Sequence, residues 1–420
     1  MKLLLKGPRG TQDVLPSDSY KWQFIEKNMM QIVSKYGFKE IRIPTFEHTD
    51  LFCRSVGDTS DIVEKEMYTF EDKSSRLITL RPEGTAGVVR SVLEHNLLNL
   101  TLPLKVAYIL SCFRYEKPDS GRLREFHQFG VELFGSSSPQ ADFEVISMAS
   151  EMIRSVGISK YTLNINSIGC KKCRANYKKA LIEYMISNKD NLCDVCKDRL
   201  YKNPMRILDC KEEKCQEIVK EAPVILDFLC DECELHLKTL KEYLDKAKIY
   251  YVINSKIVRG LDYYTKTVFE FVVNINGSNL TVCGGGRYDD LVEDLGGPST
   301  PAFGFGMGLE RLIMILNNEE NNIEIEDKKC DIYIITMNEK ARIYSVNIVQ
   351  KLRKFGYIVE TDLMGRSLKA QMKYANKISA RHTMVIGEDE INSGKAAIKN
   401  MKTSELKNII LNESFENILD

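Results

Sequence analysis

The sequence predicts an α+β N-terminal domain interrupted by a helical, cysteine-rich module and followed by a small α/β domain. Three observations lead there. Ala107–Glu116 and Glu125–Phe134 read as two strands joined by a charged loop containing the turn formers Pro118, Asp119, Ser120 and Gly121, which makes a hairpin. Between Cys170 and Cys233 lie eight cysteines in four close pairs, with helical stretches between them. Beyond Asp331 strands alternate with helices, the pattern of a small open sheet that is mostly parallel. A chain of 420 residues exceeds one ordinary core. The expected boundaries are 1–325 for the first domain, with 170–250 inserted in it, and 330–420 for the last.

Composition excludes several classes. Lys and Arg together number 59, as do Asp and Glu, which argues against a uniformly basic nucleic-acid coat while permitting local basic patches. No run of 18 apolar residues exists, and the opening MKLLLKGPRG has only three leucines before Gly and Pro break it. Neither a membrane span nor a signal peptide is expected. A cytosolic setting follows as an expectation, in which the twelve cysteines are free thiols or metal ligands rather than disulfides.

Lys6–Asp13 is punctuated by Gly and Pro and should be irregular. Ser17 or Asp18 can cap a helix running to about Tyr36, with Trp22, Ile25, Met29, Ile32 and Val33 on one stripe. Gly37 ends it, and Phe38–Ile43 is a short strand stopped by Pro44. Leu77–Gly84 reads as strand and turn leading through Thr85 into an amphipathic helix, so capping alone would explain Glu83 and Thr85. After the hairpin come a helix at Gln140–Val156 and a strand at Tyr161–Ile168.

The module follows. Cys170/Cys173, Cys193/Cys196 and Cys230/Cys233 are C-x-x-C pairs, the spacing that lets one loop offer two thiolates to a tetrahedral ion, and Cys210/Cys215 is slightly wider. Structural zinc at one or two four-cysteine sites is one reading; unengaged thiols are the other. Helices are expected at Tyr177–Ser187, Ile218–Leu229 and Glu234–Ala247. Strand pattern returns at Val258–Phe271, then in TVCGGGRYDD (Thr281–Asp290), and in PAFGFGMGLERLIMIL (Pro301–Leu316), where Gly304, Gly306 and Gly308 alternate before a helix with Arg311 in its first turn. Three glycines on one strand face leave room for a flat group against the backbone, although close packing would explain them equally.

Asn317–Lys329 reads as a linker. Then come a strand at Asp331–Met337, a helix at Lys340–Phe355, a strand at Tyr357–Asp362, a helix at Leu368–Ile378, strands at His382–Ile386 and Ala396–Met401, and a final helix from Ser404. Lys369, Lys373 and Lys377 form one basic helix face, which is either solvated or set against a phosphate backbone.

Side chains alternate along a strand, so Phe129, Val131 and Leu133 face one way while Gln128, Gly130 and Glu132 face the other. By pattern alone the polar set is the solvated face of a half-buried strand. Arg114 on the first strand, with Arg122 and Arg124 in the loop, points instead to a ligand with anionic oxygens, which guanidinium forks match.

A strand ending in proline (Phe38–Pro44), an arginine-bearing hairpin (Ala107–Gly135) and a glycine strand running into a helix with an arginine (Pro301–Leu316) resemble the three motifs of class II aminoacyl-tRNA synthetases. LRPEGTA at Leu80–Ala86, HQFGVELFG in the hairpin, RGLDYYTKTVFE at Arg259–Glu270 and GGGRYDDL at Gly284–Leu291 are similar to the histidyl-tRNA synthetases, and the likeness spans nearly the whole chain. The resemblance implies an antiparallel-sheet catalytic domain, an anticodon-binding C-terminal domain, a homodimer, and ATP with Mg²⁺. The implied reaction is activation of L-histidine to the adenylate and transfer to the 3′ end of tRNA(His).

The resemblance also implies roles for residues. Glu83, Thr85 and Gln128 match the positions that hold the α-amino group, and Glu132 and Tyr264 those that read the imidazole, with Tyr263 and Tyr288 lining the pocket. Gly130 becomes the space that histidine occupies. Arg114 and Arg259 match the catalytic arginines on the α-phosphate, Arg311 matches the arginine on the nucleotide, and Arg122 and Arg124 fall to the acceptor stem. Chemistry agrees, since neutral histidine has one ring N–H and one bare nitrogen, which a carboxylate and a phenol recognise together. The rival is a non-catalytic regulatory paralogue of histidine biosynthesis, which should lack the C-terminal domain and the site residues. A synthetase for another amino acid should lack RGLDYY.

Overall fold

A computed structural model describes residues 5–57, 60, 62–119, 121–257, 261–275, 277–318, 325–327, 329–411, 415 and 418–419. The chain divides into two compact units, Met1–Ile325 and Glu326–Asp420. No helix among the described residues is long and apolar enough to cross a membrane.

The first unit is built on an eight-stranded sheet. In spatial order its strands are Lys39–Glu40, Leu104–Phe113, Glu125–Phe134, Ala302–Gly308, Ser278–Arg287, Thr265–Ile275, Thr162–Ser167 and Val252–Ile253. The inner pairings are antiparallel and the two short edge pairings parallel. The second hairpin strand falls where expected. The first starts and ends three residues earlier than the sequence suggests; past its end, Tyr115 turns its backbone N–H away from the hairpin to Glu66 O.

Two apolar layers flank this sheet. On one side Phe129, Val131 and Leu133 pack with Ile25, Met29 and Ile32 of the helix Ser19–Lys35, and with Val145, Ile146 and Ile153 of the helix Pro139–Ser155. Each such side chain contributes about 1.5–3 kcal/mol by burial. Ser138 caps the second of these helices by accepting from Gln140 N, whereas Asp18 makes no side-chain cap for the first and faces Lys21 instead. On the other side the helix Thr85–Glu94 lays Val88, Val89 and Val92 against Tyr108, Tyr263, Tyr264 and Tyr288. That second layer is where polar side chains penetrate.

The module leaves the sheet after Ser167 and returns before Val252. Its helices are Lys171–Ser187, Asp194–Lys202, Glu213–Lys220 and Asp231–Lys246. The helix expected over Ile218–Leu229 is broken: it ends at Lys220, and a single 3₁₀ turn forms at Ile225–Phe228, because Pro223 has no N–H to continue the ladder. The last helix is tied to the sheet by buried groups, with His236 Nε2 2.7 Å from Asp142 Oδ2 and Arg287 on the other oxygen of Asp142 at 3.5 Å.

The second unit has a five-stranded sheet in the order Val359–Thr361, Ile332–Thr336, His382–Ile386, Lys395–Asn400, Leu406–Ile410, the first three parallel. Helices Glu339–Lys354 and Leu368–Lys377 connect the parallel strands. The helix expected from Ser404 is instead the edge strand Leu406–Ile410. Its backbone completes a ladder with Lys395–Asn400, which a five-residue helix on this surface would leave open. A short helix at Glu388–Ser393, not expected, is closed by Glu390 accepting from Gly387 N at 2.8 Å.

Candidate active site

The polar face of the hairpin strand is enclosed rather than solvated. Glu132 is 1% exposed. Its Oε1 accepts from Thr85 Oγ1 at 2.7 Å and Tyr108 OH at 3.0 Å, and its Oε2 accepts from Tyr288 OH. Burial lifts its pKa from 4.5 to about 8, against the pull of the Tyr288, Thr85 and Tyr108 hydroxyls, with the nearby charge of Glu83 adding to the rise.

The glycines of the neighbouring strand make room for these side chains. Gly304 is the register partner of Glu132, and a Cβ there would lie 1.9 Å from Glu132 Oε2; one at Gly306 would lie 2.0 Å from Gln128 Nε2. The expectation of a flat group lying over three glycines is therefore corrected at Gly304, which the protein's own carboxylate covers. Gly130 is not vacant space either. Tyr108, its partner across the hairpin, fills it, and a Cβ at Gly130 would meet Tyr108 Cζ at 2.2 Å.

Glu83 is buried at the entrance of the helix Thr85–Glu94, its Oε2 accepting from Thr85 N and its Oε1 from Ala86 N, both at 2.7 Å. It caps the helix, and burial still raises its pKa. Gln128 Oε1 accepts from Gly84 N at 3.1 Å, linking the hairpin to the same helix entrance. Tyr263 bridges Tyr264 and Tyr288, with ring centroids at 4.7 and 5.7 Å.

Beside this buried group opens a cavity of about 370 Å³ lined by Arg114, Arg122, Gln128, Arg311 and the backbone of Gly284, Gly306 and Gly308, with Glu116, Glu270 and Glu310 on its walls. Arg114 Nε donates to Pro82 O at 2.9 Å and its guanidinium lies 5.3 Å from the Phe126 ring centroid. Arg311 donates to the Gly121 and Thr281 carbonyls. Its pKa is lowered by burial and by the charges of Arg122 and Arg114, with Glu116 and Glu270 opposing. These arginines thus crowd one another, which an anion between them would relieve. Glu310 holds the His127 ring at 2.8 Å with one oxygen, while its buried Oε2 has no hydrogen-bond partner among the described residues.

Of the residues singled out from sequence, Arg114, Arg122, Gln128 and Arg311 line this cavity, and Glu83, Thr85, Glu132, Tyr263 and Tyr288 form the buried cluster next to it. Tyr264 also lines a depression toward the module, with Arg174 and Lys178. Arg259 lies outside the described residues. Arg124 stacks on Tyr115, its guanidinium 3.9 Å from the ring centroid. Sequence reasoning missed Tyr108, Phe126 and Glu310. A signal for the first was available, since a tyrosine facing a glycine across a hairpin has somewhere to lie.

A histidyl-tRNA synthetase family model matches residues 10–312, and an anticodon binding domain model matches residues 331–420. This chain belongs to the histidyl-tRNA synthetase family. A histidine–tRNA ligase of Acetivibrio thermocellus is 54% identical over 409 residues, covering 97% of this chain and 98% of that one. One of Caldanaerobacter subterraneus subsp. tengcongensis is 53% identical, covering 98% of each. The crystal structure of apo histidyl-tRNA synthetase from S. aureus superposes with a TM-score of 0.83 at 41% identity, covering 97% of this chain and 98% of that chain. The fold is the class II synthetase fold of this family, a mixed sheet with helices.

Proposed function

We propose that this chain activates L-histidine with ATP to histidyl-adenylate and transfers the histidyl group to the 3′ end of tRNA(His), as a cytosolic homodimer. The observation that carries the reading is Glu132, a carboxylate held dry among three hydroxyls beside a cavity of crowded arginines.

Glu132 accepts the imidazole N–H and the Tyr264 phenol donates to the bare ring nitrogen. A carboxylate offers about four lone-pair sites. Three are used by Thr85, Tyr108 and Tyr288. A fourth donor is accommodated, and it draws the carboxyl toward its ionised form. Tyr263 and Tyr288 wall the ring. Glu83, Thr85 and Gln128 meet the α-amino group, Glu83 using the lone pairs its helix leaves open. Such a site rejects analogues lacking the ring N–H by leaving the fourth acceptor position of a buried carboxylate without a donor.

The substrate carboxylate is itself the nucleophile and needs no general base. Its oxygen attacks the α-phosphorus as the bond to pyrophosphate breaks. Arg114 and Arg259 neutralise charge on the α-phosphate, and Arg311 holds the nucleotide, its guanidinium braced by two backbone carbonyls. Mg²⁺ supplies further neutralisation when bound with ATP. The Oε2 of Glu310, without a hydrogen-bond partner among the described residues, and Glu270 and Glu116 on the same walls would suit that hard cation. The unit 326–420 takes the anticodon end of the tRNA, and the exposed Lys369, Lys373 and Lys377 offer charge to its backbone. The regulatory alternative is disfavoured because the anticodon-binding match and the described site residues are all present.

The test is charging of a tRNA(His) transcript. Histidine attached in an ATP-dependent manner is expected; intact ATP binding with no charging would overturn the reading in favour of the regulatory one.

A further inference from the structure

The eight module cysteines, which the reaction does not use, meet in a nested pattern that their order in the chain does not reveal. The first and fourth pairs converge (Cys170, Cys173, Cys230, Cys233), and the second and third converge inside them (Cys193, Cys196, Cys210, Cys215), each set with its four sulfurs within 4.8 Å of one another. No disulfide is present among the described residues. We propose that these are two Zn(Cys)₄ centres, and that histidine recognition depends on the first of them, which staples the two ends of the module to the backbone that carries Tyr264.

Three independent features specify a metal. Sulfurs bound to a tetrahedral ion at about 2.3 Å stand about 3.8 Å apart. The Sγ–Sγ distances are 3.5 Å for Cys170–Cys173, 3.9 Å for Cys170–Cys230 and 3.8 Å for Cys193–Cys210. Each centre also aims a backbone N–H at a sulfur, Cys230 N to Cys173 Sγ at 3.1 Å and Cys193 N to Cys215 Sγ at 3.2 Å. Amides directed at sulfur favour thiolates, the form that binds metal. Finally, Cys170, Cys193 and Cys230 are the N-cap residues of their helices and Cys173, Cys196 and Cys233 lie one turn on, so the C-x-x-C spacing sets both sulfurs at the positive end of a helix. On binding, four thiols release four protons and the Zn²⁺ centre carries a net charge of about −2. Tetrahedral all-thiolate donation excludes the hard oxygen-seeking divalent ions and suits zinc or iron, of which zinc needs no redox partner.

The coupling follows from the neighbours of the first centre. Gly169, next to Cys170, accepts from Lys266 N at 3.0 Å; Arg174, next to Cys173, donates to Tyr264 O at 3.2 Å; and Glu232, next to Cys233, pairs with Lys266 Nζ at 2.8 Å. Both ends of the module therefore grip Tyr264–Lys266. A Cβ at Gly169 would stand 2.5 Å from Cys173 Cβ, so the chain curls too tightly there for any other residue. The second centre lies instead where Cys193, Cys210 and Lys211 face Arg114 and Arg311 across a cavity of about 690 Å³. The coupling half of the proposal rests on the assignment of Tyr264 to histidine.

Full-length protein purified with reductant and without chelator is expected to carry one zinc per cluster, two in all, with Cys233→Ser and Cys210→Ser each losing one. Cobalt substitution should give the intense thiolate charge-transfer and d–d bands of a tetrahedral site. In histidine-dependent pyrophosphate exchange, Cys233→Ser should raise the histidine KM several-fold, and by more than Cys210→Ser does. If Cys233→Ser does not fold, Cys170→His replaces it, and it should keep zinc with an altered cobalt spectrum. Wild-type protein that contains iron, or that neither holds nor takes up zinc, overturns the metal centres. An unchanged histidine KM in the folded variant altered at the first centre, Cys233→Ser or Cys170→His, overturns the coupling. Zinc content is read independently of activity, so a chain with two zinc ions and no exchange would count against the functional reading alone.

Discussion

Replacing Glu132 by Gln should weaken histidine use and strengthen the fold, with the second effect growing as pH rises. The buried carboxyl titrates at about 8 instead of 4.5. At about 1.4 kcal/mol per decade, keeping it ionised in the folded chain costs on the order of 5 kcal/mol above pH 8. The sign follows from linkage. A folded-state pKa above the unfolded one gives stability that is fully present below the unfolded pKa and is lost as pH rises through the folded pKa. Wild type thus loses about 2 kcal/mol by pH 6 and about 3 more by pH 9, and the Glu132→Gln variant, whose amide does not titrate, loses neither. Denaturant unfolding of both proteins at pH 6 and pH 9, followed on the transition of the first unit, measures the difference. The stability gap between the Glu132→Gln variant and wild type should widen by about 3 kcal/mol between those pH values. Activation assays should show kcat/KM for histidine down about 10- to 150-fold, the worth of one hydrogen bond to a charged group. A stability gap that does not change with pH would refute the claim that burial governs this carboxyl.

Three further outcomes follow from other parts of the molecule. Gly304→Ala places a methyl 1.9 Å from Glu132 Oε2 and should destabilise the fold by about 1–3 kcal/mol while raising the histidine KM; wild-type kinetics in a folded variant would contradict the packing described. Arg311→Ala removes a half-buried cation from the cavity wall and, if that cation holds the nucleotide as proposed, should raise the barrier to activation by about 2.7–4 kcal/mol, by analogy with lost oxyanion donors, with histidine affinity in the absence of ATP unchanged. The triple substitution of Lys369, Lys373 and Lys377 by Ala should reduce the slope of log affinity for tRNA against log salt by about 2, at about 0.7 per phosphate contact, without affecting amino-acid activation.

How far the sequence could be read depended on where each backbone finds its partners. The strand Glu125–Phe134 was legible because strict alternation separates Phe129, Val131 and Leu133 from Gln128, Gly130 and Glu132, and the two sets meet different layers. The end of the first hairpin strand was misread because Tyr115, which looks strand-like, gives its backbone N–H to Glu66 rather than to the partner strand. At the C-terminus, the run Leu406–Ile410 has no helical or strand signature of its own and is decided by the edge it completes. The cysteine spacings announced thiolate loops but not that the outer pairs meet each other, since convergence over 60 residues is set by the helices between them. Glu83 is both things at once, a helix cap as local pattern suggested and a wall of the buried cluster. Tyr108 escaped notice because its importance lies across the hairpin, in the space that Gly130 leaves.

The central claim is that the pocket around Glu132 accepts histidine and delivers its carboxylate to ATP held by the arginines. Exchange of labelled pyrophosphate into ATP, measured on the purified protein with each amino acid in turn, tests it most directly. Exchange with histidine alone, slowed about 100- to 1,000-fold by Arg311→Ala and about 10- to 150-fold by Glu132→Gln, is the predicted result. No histidine-dependent exchange, or equal exchange with other amino acids, would contradict it.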